Sequence, residues 1–276
     1  MNIRVAAVQM AVKDSKKENL NTMKEQVHIC AENGAKIVLL PEMFCCPYDN
    51  ASFIANKEER GGAVWSALAE TAEREHIYLF GGSMPEAVKL PEYISGPSEK
   101  LYNTSFVFDP QGTEIARHRK VHLFDIDIKG RQSFRESAVF THGDAVTLAE
   151  TEYGKVGLMI CFDIRFPELS RLMALRGSQI ILVPGAFNAT TGPAHWELLF
   201  RTRALDNQVF MLGCAPACYG EGYQSYGHSI LTTPWGSVKE QLGCEAGTLI
   251  ADIDLNEVQE IRTQLPVLSA RRTDLY

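Results

Sequence analysis

Apolar residues along this chain fall into short runs that end at Pro, Gly or polar residues, which is how buried strands read. Arg4–Met10 (RVAAVQM), Ile37–Phe44 (IVLLPEMF), Tyr78–Met84 (YLFGGSM) and Tyr102–Gly112 (YNTSFVFDPQG) make up a series in the first half. The series returns in the same order as Lys155–Cys161 (KVGLMIC), Ile180–Phe187 (IILVPGAF), Phe210–Pro216 (FMLGCAP) and Tyr226–Gly236 (YGHSILTTPWG). One such pair could arise by chance between any two strands. A whole ordered series argues for an internal repeat.

Between the runs the apolar period changes to that of a helix. From Asn19 to Asn33, residues Leu20, Met23, Val27 and Cys30 recur at helical spacing and Gly34 supplies a stop. From Pro167 to Arg176, Leu169, Leu172, Met173 and Leu175 do the same, with Pro at a helix start and Gly177 past the end. Glu197 to Asn207 is a third helical stretch. Strand–helix–strand order predicts parallel pairing through right-handed crossovers. The Tyr102 and Tyr226 segments, each with a Pro-x-Gly turn, predict hairpins. Each half is then a βαβαββ layer. The expected fold is α/β: two sheets stacked face to face with helices outside, a four-layer αββα sandwich with an internal pseudo-twofold, in one domain over residues 1–276.

Composition narrows the classes. The 276 residues are 45% hydrophobic and 22% charged, which suits a soluble globular chain able to bury a large core without metal or disulfide staples. Lys and Arg number 27 against 34 Asp and Glu, a net charge of −7. Arg117–His118–Arg119–Lys120 and Arg271–Arg272 are too short to form the positive stripe that nucleic acid requires. No apolar stretch approaches the roughly 20 residues that span a bilayer. The chain opens directly on a strand-like run, Met1–Asn2–Ile3–Arg4–Val5, without a charged leader. Its seven cysteines are scattered and odd in number. A cytoplasmic protein with free thiols is the expectation. Cys214-x3-Cys218 lacks the second ligand pair of a zinc site, so no metal is expected.

Candidate chemistry concentrates at strand ends. Cys161 closes a buried strand just before the helix opened by Pro167, a turn that lifts a nucleophile above a sheet edge. A packed, inert thiol is the competing reading. Glu42 ends the buried run Ile37–Pro41, where an acid is costly unless used or paired, and its repeat counterpart is Gly185. Lys120 follows the first hairpin in Arg119–Lys120–Val121–His122–Leu123–Phe124. Alone it would read as a solvated lysine, and His118 and His122 are rival bases for a Cys–His pair.

Three of these stretches together are similar to the signatures of the nitrilase superfamily of carbon–nitrogen hydrolases. They are Pro41–Glu42–Met43–Phe44, His118–Arg119–Lys120–Val121–His122–Leu123 and Ile160–Cys161–Phe162–Asp163–Ile164–Arg165–Phe166–Pro167–Glu168. The similarity runs from the first strand to Asp252–Ile253–Asp254. Two more stretches resemble the ω-amidase branch: His122–Leu123–Phe124–Asp125–Ile126–Asp127 through Phe134–Arg135–Glu136–Ser137, and Gly185–Ala186–Phe187–Asn188–Ala189–Thr190–Thr191–Gly192–Pro193–Ala194–His195–Trp196. Ile128–Lys129–Gly130 and the Glu86–Leu101 stretch depart from that branch and bear on substrate choice.

The resemblance implies a nitrilase-type fold and a Glu–Lys–Cys triad: Cys161 as nucleophile, Glu42 as proton carrier, and Lys120 with the Phe162 backbone N–H as oxyanion hole. Glu136 matches the family's second acid, orienting Lys120 or substrate. Arg165 matches a carboxylate-gripping arginine and Thr191 its hydroxyl partner; Tyr48 and Trp196 stand as pocket-lining or core residues. No cofactor is implied. The implied substrate is a small ω-amide such as α-ketoglutaramate or α-ketosuccinamate. A deaminated-glutathione amidase, an N-carbamoyl amide hydrolase, a nitrilase and a catalytically inactive assembly member are the alternatives. The implied partner is a second copy, in a homodimer or larger homo-oligomer.

Overall fold

The structure, a computed structural model, describes residues 1–91, 98–129, 132–218 and 223–276. The first half runs β1 (Asn2–Gln9), α1 (Lys16–Glu32), β2 (Ile37–Leu39), α2 (Asn50–Asn56), α3 (Ala63–Glu75), β3 (Tyr78–Phe80), β4 (Met84–Lys89), β5 (Glu99–Phe108) and β6 (Glu114–Arg119). A small antiparallel pair follows, β7 (Asp125–Ile128) and β8 (Gln132–Arg135). The second half runs β9 (Thr147–Thr151), β10 (Gly154–Leu158), α4 (Pro167–Leu175), β11 (Ile180–Pro184), α5 (Gly192–Asn207), β12 (Phe210–Cys214), β13 (Ile230–Thr232) and β14 (Val238–Gln241). Last come β15 (Gly247–Asp254) and α6 (Asn256–Gln264).

The repeat is real. One sheet has the order β15-β1-β2-β3-β5-β4 with β6 on β5, and the other β14-β13-β12-β11-β10-β9. In each, three strands pair in parallel, β1-β2-β3 and β10-β11-β12, and a hairpin follows, β5-β6 and β13-β14. An extra antiparallel strand flanks the first of each trio: β15 on β1, and β9 on β10.

Alternation along each strand builds the layers. Ile37 and Leu39 point between the sheets, where they join Val156, Leu158, Ile180 and Phe210. Val38 and Leu40 point the other way, toward Met23 and Val27 of α1 and Val64 and Leu68 of α3. On the second sheet Ile181 and Val183 face Met173 of α4 and Trp196 and Phe200 of α5. Strands buried on both faces carry continuous apolar runs rather than alternating ones. The result is the αββα sandwich.

Local signals set the helix ends. Ser15 caps α1 by accepting from Glu18 N–H, and the helix gives way at Asn33 to Gly34 in the left-handed region. α4 starts at Pro167 and is followed by Gly177, also left-handed. α5 starts at Gly192, ahead of the expected Glu197, because the Asn188 side chain accepts from the backbone N–H groups of Thr190 and Thr191. Polar and small residues in that first turn hide it from an apolar count.

One expectation is overturned. Cys218 and Cys244 form a disulfide, so not all thiols are free. The β13-β14 hairpin returns the chain to where it left, and Cys218 N–H donates to Cys244 O at 2.9 Å. Cys30, Cys45, Cys46, Cys161 and Cys214 are free and buried. No helix among the described residues is long and apolar enough to cross a membrane. Gly130, and residues 92–97 of the Glu86–Leu101 stretch, lie outside the described residues.

Candidate active site

Two corresponding strand ends face each other. Beyond β2, Leu40 and Pro41 lead to Glu42, and Met43 turns the chain sharply at φ 52°, its N–H held by Ser83 Oγ at 3.0 Å. The turn is packed so closely that a Cβ on Gly82, itself at φ +58°, would lie 2.1 Å from Pro41 O. Beyond β10, Cys161 opens a short 3-10 helix, Cys161–Arg165, at φ 48°. Gly185, the repeat partner of Glu42, would place a Cβ 3.3 Å from Cys161 Cα. The pseudo-twofold is thus broken where the chemistry sits: one half supplies an acid, and the other clears space for the thiol.

Glu42, Lys120 and Glu136 are fully buried, and Cys161 nearly so. Lys120 Nζ donates to Glu42 Oε1 and Glu136 Oε1, each at 2.9 Å. The remaining oxygens are held by backbone: Ala186 N–H donates to Glu42 Oε2 at 2.8 Å and Phe124 N–H to Glu136 Oε2 at 2.6 Å. Asn103 on β5 donates to both carboxylates, at 2.9 and 3.3 Å. Tyr48 OH donates to them at 3.3 and 3.0 Å. Lys120 is fixed from its own backbone, donating to Asn103 O and accepting from Gly143 N–H.

The electrostatics follow. Burial alone would pull the Lys120 ammonium down, but the Glu136 and Glu42 charges outweigh it and hold the group well above its ordinary value. Burial pushes the Cys161 thiol well up; the Glu42 charge adds to this, Lys120 opposes it, and a hydrogen bond to Glu42 adds again. Burial also lifts the Glu136 carboxyl against the pull of Lys120. A cation locked on, a thiol locked protonated and a carboxylate touching both can move a proton from sulfur and stabilise an oxyanion. The Phe162 N–H, in the first turn of its 3-10 helix, is among the amides such a turn leaves without an intrahelical acceptor.

The rival histidines are otherwise engaged. His118 Nε2 lies 3.1 Å from Asp163 Oδ2 and His122 Nδ1 2.8 Å from Asp163 Oδ1. Asp163 also accepts from His122 N–H and Ile160 N–H. Burial would raise its carboxyl, yet the bonds from both histidines hold it well below the ordinary carboxylate range. Asp163 therefore clasps the Lys120 loop to the Cys161 turn, and the histidines serve that clasp.

A cavity of about 1050 Å³ opens beside Glu42, Tyr48, Ala186 and Tyr223. The rings of Tyr48 and Tyr223 lie tilted to each other with 4.5 Å between centroids, and Tyr223 OH donates to Ala186 O. Neither Arg165 nor Thr191 is among the lining residues. Arg165, at the end of the 3-10 helix that Cys161 opens, lies over the rings of Phe187 and Phe162 at 4.8 and 5.5 Å. Among the described residues no carboxylate lies within ion-pair distance of it. The Thr191 hydroxyl donates to Asn188 Oδ1 at 3.2 Å, inside the turn that starts α5. Trp196 is wholly buried against Phe187 and Phe200, a core residue. Among the described residues no cluster of His, Cys, Asp or Glu could hold a metal ion.

Sequence reasoning missed Asn103, the Ala186 N–H and Tyr223. Asn103 had a signal: in the repeat it aligns with Gly227, the same asymmetry that marks Glu42 against Gly185.

Fold and site together define a hydrolase whose candidate site holds a buried cysteine beside a carboxylate and an ammonium. Residues 4–263 match the carbon–nitrogen hydrolase family, and the chain belongs to that family, within the nitrilase superfamily. It is 46% identical over 274 residues to the omega-amidase NIT2 of Xenopus tropicalis, covering 99% of this chain and 96% of that protein. Among solved structures, Saccharomyces cerevisiae Nit3, a member of branch 10 of the superfamily, matches with a TM-score of 0.88 at 35% identity, over 98% of this chain and 97% of that one. A mutant amidase from Nesterenkonia sp. AN1, carrying the acetamide moiety of fluoroacetamide on its active-site cysteine, matches with a TM-score of 0.80 at 25% identity, over 99% and 95%.

Proposed function

We propose that this enzyme is an ω-amidase, cleaving the terminal amide of a short dicarboxylic mono-amide such as α-ketoglutaramate or α-ketosuccinamate to the dicarboxylate and ammonia. The observation that carries the substrate assignment is Arg165, a half-buried guanidinium without a carboxylate partner among the described residues, at the end of the same short 3-10 helix that Cys161 opens. An arginine fork matches a carboxylate, and the name of the Xenopus relative points the same way.

In the reaction, Glu42 takes the Cys161 proton as sulfur bonds to the amide carbon. The oxyanion forms against the Lys120 ammonium and the Phe162 N–H. Glu42 returns the proton to nitrogen, the carbon–nitrogen bond breaks, and ammonia leaves a thioester on Cys161. Water then attacks that carbon as Glu42 takes its proton, and the proton passes back to sulfur as the acid departs. Glu136, Asn103 and Tyr48 keep Lys120 and Glu42 in register throughout.

The test is ammonia release from a panel of matched length: an α-keto-ω-amide, its neutral analogue, a carbamoyl compound and a nitrile. The ω-amide should dominate, and Arg165→Met should cut its kcat/KM by at least about tenfold while affecting the neutral amide far less. A preferred nitrile, carbamoyl compound or neutral amide would overturn the reading.

For assembly we keep a homodimer or larger. Leu172 and Leu175 on α4 and Leu198 and Leu205 on α5 are exposed apolar side chains suited to self-association, which light scattering measures. The cytoplasmic reading keeps its other grounds, but the Cys218–Cys244 bond counts against a reducing compartment.

A further inference from the structure

Arg165 would be a poor carboxylate receptor if its fork were free to turn. Its side chain is long, and rings beneath a guanidinium attract it without fixing its rotation. One directional contact is present: Nη1 lies 3.1 Å from Nδ1 of His195. An arginine can only donate, so Nδ1 is the acceptor and the imidazole proton sits on Nε2. Among the described residues the buried Arg165 Nε has no partner.

The His195 backbone is held in place. Its N–H donates to Thr191 O at 3.0 Å in the first turn of α5, and Asn188 braces that turn through the N–H groups of Thr190 and Thr191. This gives the Gly192–His195 stretch a purpose that the triad chemistry leaves unexplained.

We infer that His195 is a positioning residue for substrate selection: its neutral Nδ1 orients the Arg165 fork without neutralising it, leaving the other N–H groups for the substrate's far carboxylate. This rests on the reading that Arg165 receives that carboxylate. An Asp or Glu in its place would orient the arginine equally well but would cancel the charge the substrate needs. A neutral acceptor does the first without the second. Burial and the Arg165 charge both pull the imidazole below its ordinary value, which keeps Nδ1 unprotonated.

The experiment uses the full chain and measures kcat and KM for an α-keto-ω-amide and its neutral analogue in His195→Ala, His195→Asn, His195→Asp and Arg165→Met. Discrimination between the two amides should fall about tenfold in His195→Ala, the size of one charge-assisted hydrogen bond, with the loss in KM. His195→Asn, whose Oδ1 can stand where Nδ1 stood, should recover most of it. His195→Asp should discriminate less well than His195→Ala, because it orients the fork yet neutralises it. Equal losses on both amides, a loss in kcat alone, or an aspartate variant that matches wild type would overturn the proposal. If Arg165→Met abolishes discrimination while His195→Ala keeps it, the His195 proposal alone fails. If Arg165→Met keeps full discrimination, the ω-amide reading fails and takes the proposal with it. Should the alanine variant not fold, the asparagine–aspartate pair carries the same comparison.

Discussion

Cys161 rests as a thiol because burial and the neighbouring Glu42 both work against a thiolate, so the proposed mechanism ties its activation to the moment Glu42 accepts the proton. Cys161→Ala should abolish turnover while the protein still melts cooperatively. Substrate trapped on the wild type should add one acyl mass at Cys161 and none at Cys45, Cys46 or Cys214. Glu42→Gln keeps the shape but carries no proton, and kcat should fall by roughly 10² or more. Lys120→Ala should cost about 10²–10³ in kcat, the scale of a lost oxyanion donor. If His122→Ala were more damaging than either, proton transfer would have to run through the Asp163 clasp instead. Glu42 and Cys161 were readable because each is an expensive residue at the end of a buried run; Lys120 follows a charged, half-exposed strand and was readable only through the resemblance. Arg165 was legible as a cation but not as an unpaired one, since Asp163 and Glu168 stand near it in sequence and only the fold shows Asp163 spent on two histidines. Asn103 passed for an ordinary strand residue, and the Ala186 N–H has no side chain to announce it.

Turns, more than regular elements, carry the precision of this site. Gly82→Ala would force a left-handed residue and a Cβ into Pro41 O, so we expect a loss on the order of 2–4 kcal/mol in denaturant midpoint analysis. Activity should fall further than stability, because Pro41 drags Glu42 with it. The Asp163 clasp predicts a pH effect. Its carboxyl is more acidic folded than unfolded, so its stabilisation is complete above the ordinary aspartate value of about 3.9 and drains away as pH falls below it. Urea midpoints measured from about pH 6 to pH 2 should therefore decline less steeply in Asp163→Asn. An unchanged slope would mean that other carboxylates dominate acid unfolding. α1 and α4, each with an apolar stripe, were legible to within a few residues, whereas α3 and α6 were given no bounds from the sequence. The first turn of α5, held by Asn188 rather than by apolar side chains, was not, though it is the turn that positions His195.

Across the whole molecule, the ordered repeat in the sequence was enough to give two stacked sheets, because each half must bury one sheet face and the other half offers the matching one. Nothing so local could give the Cys218–Cys244 bond: its partners are 26 residues apart and meet only once the β13-β14 hairpin has formed. Cys218→Ser should lower stability by about 2–4 kcal/mol under non-reducing conditions, the usual return for closing such a loop, and by little when both proteins are kept in a dithiol reductant. The strand that flanks β1 comes from far along the chain: β15 borders β1, so that Met1 N and Asp254 Oδ1 meet from 253 residues apart. At synthesis rates of about 5–20 residues per second, β1 then waits on the order of 10–50 seconds for β15. Through that interval the backbone edge of an apolar strand, Arg4-Val5-Ala6-Ala7-Val8, stands open to any other nascent chain. β15 therefore covers an edge that is hazardous while the chain is being made, and a chain cut before Gly247 should aggregate more readily than one that carries β15, as light scattering would show.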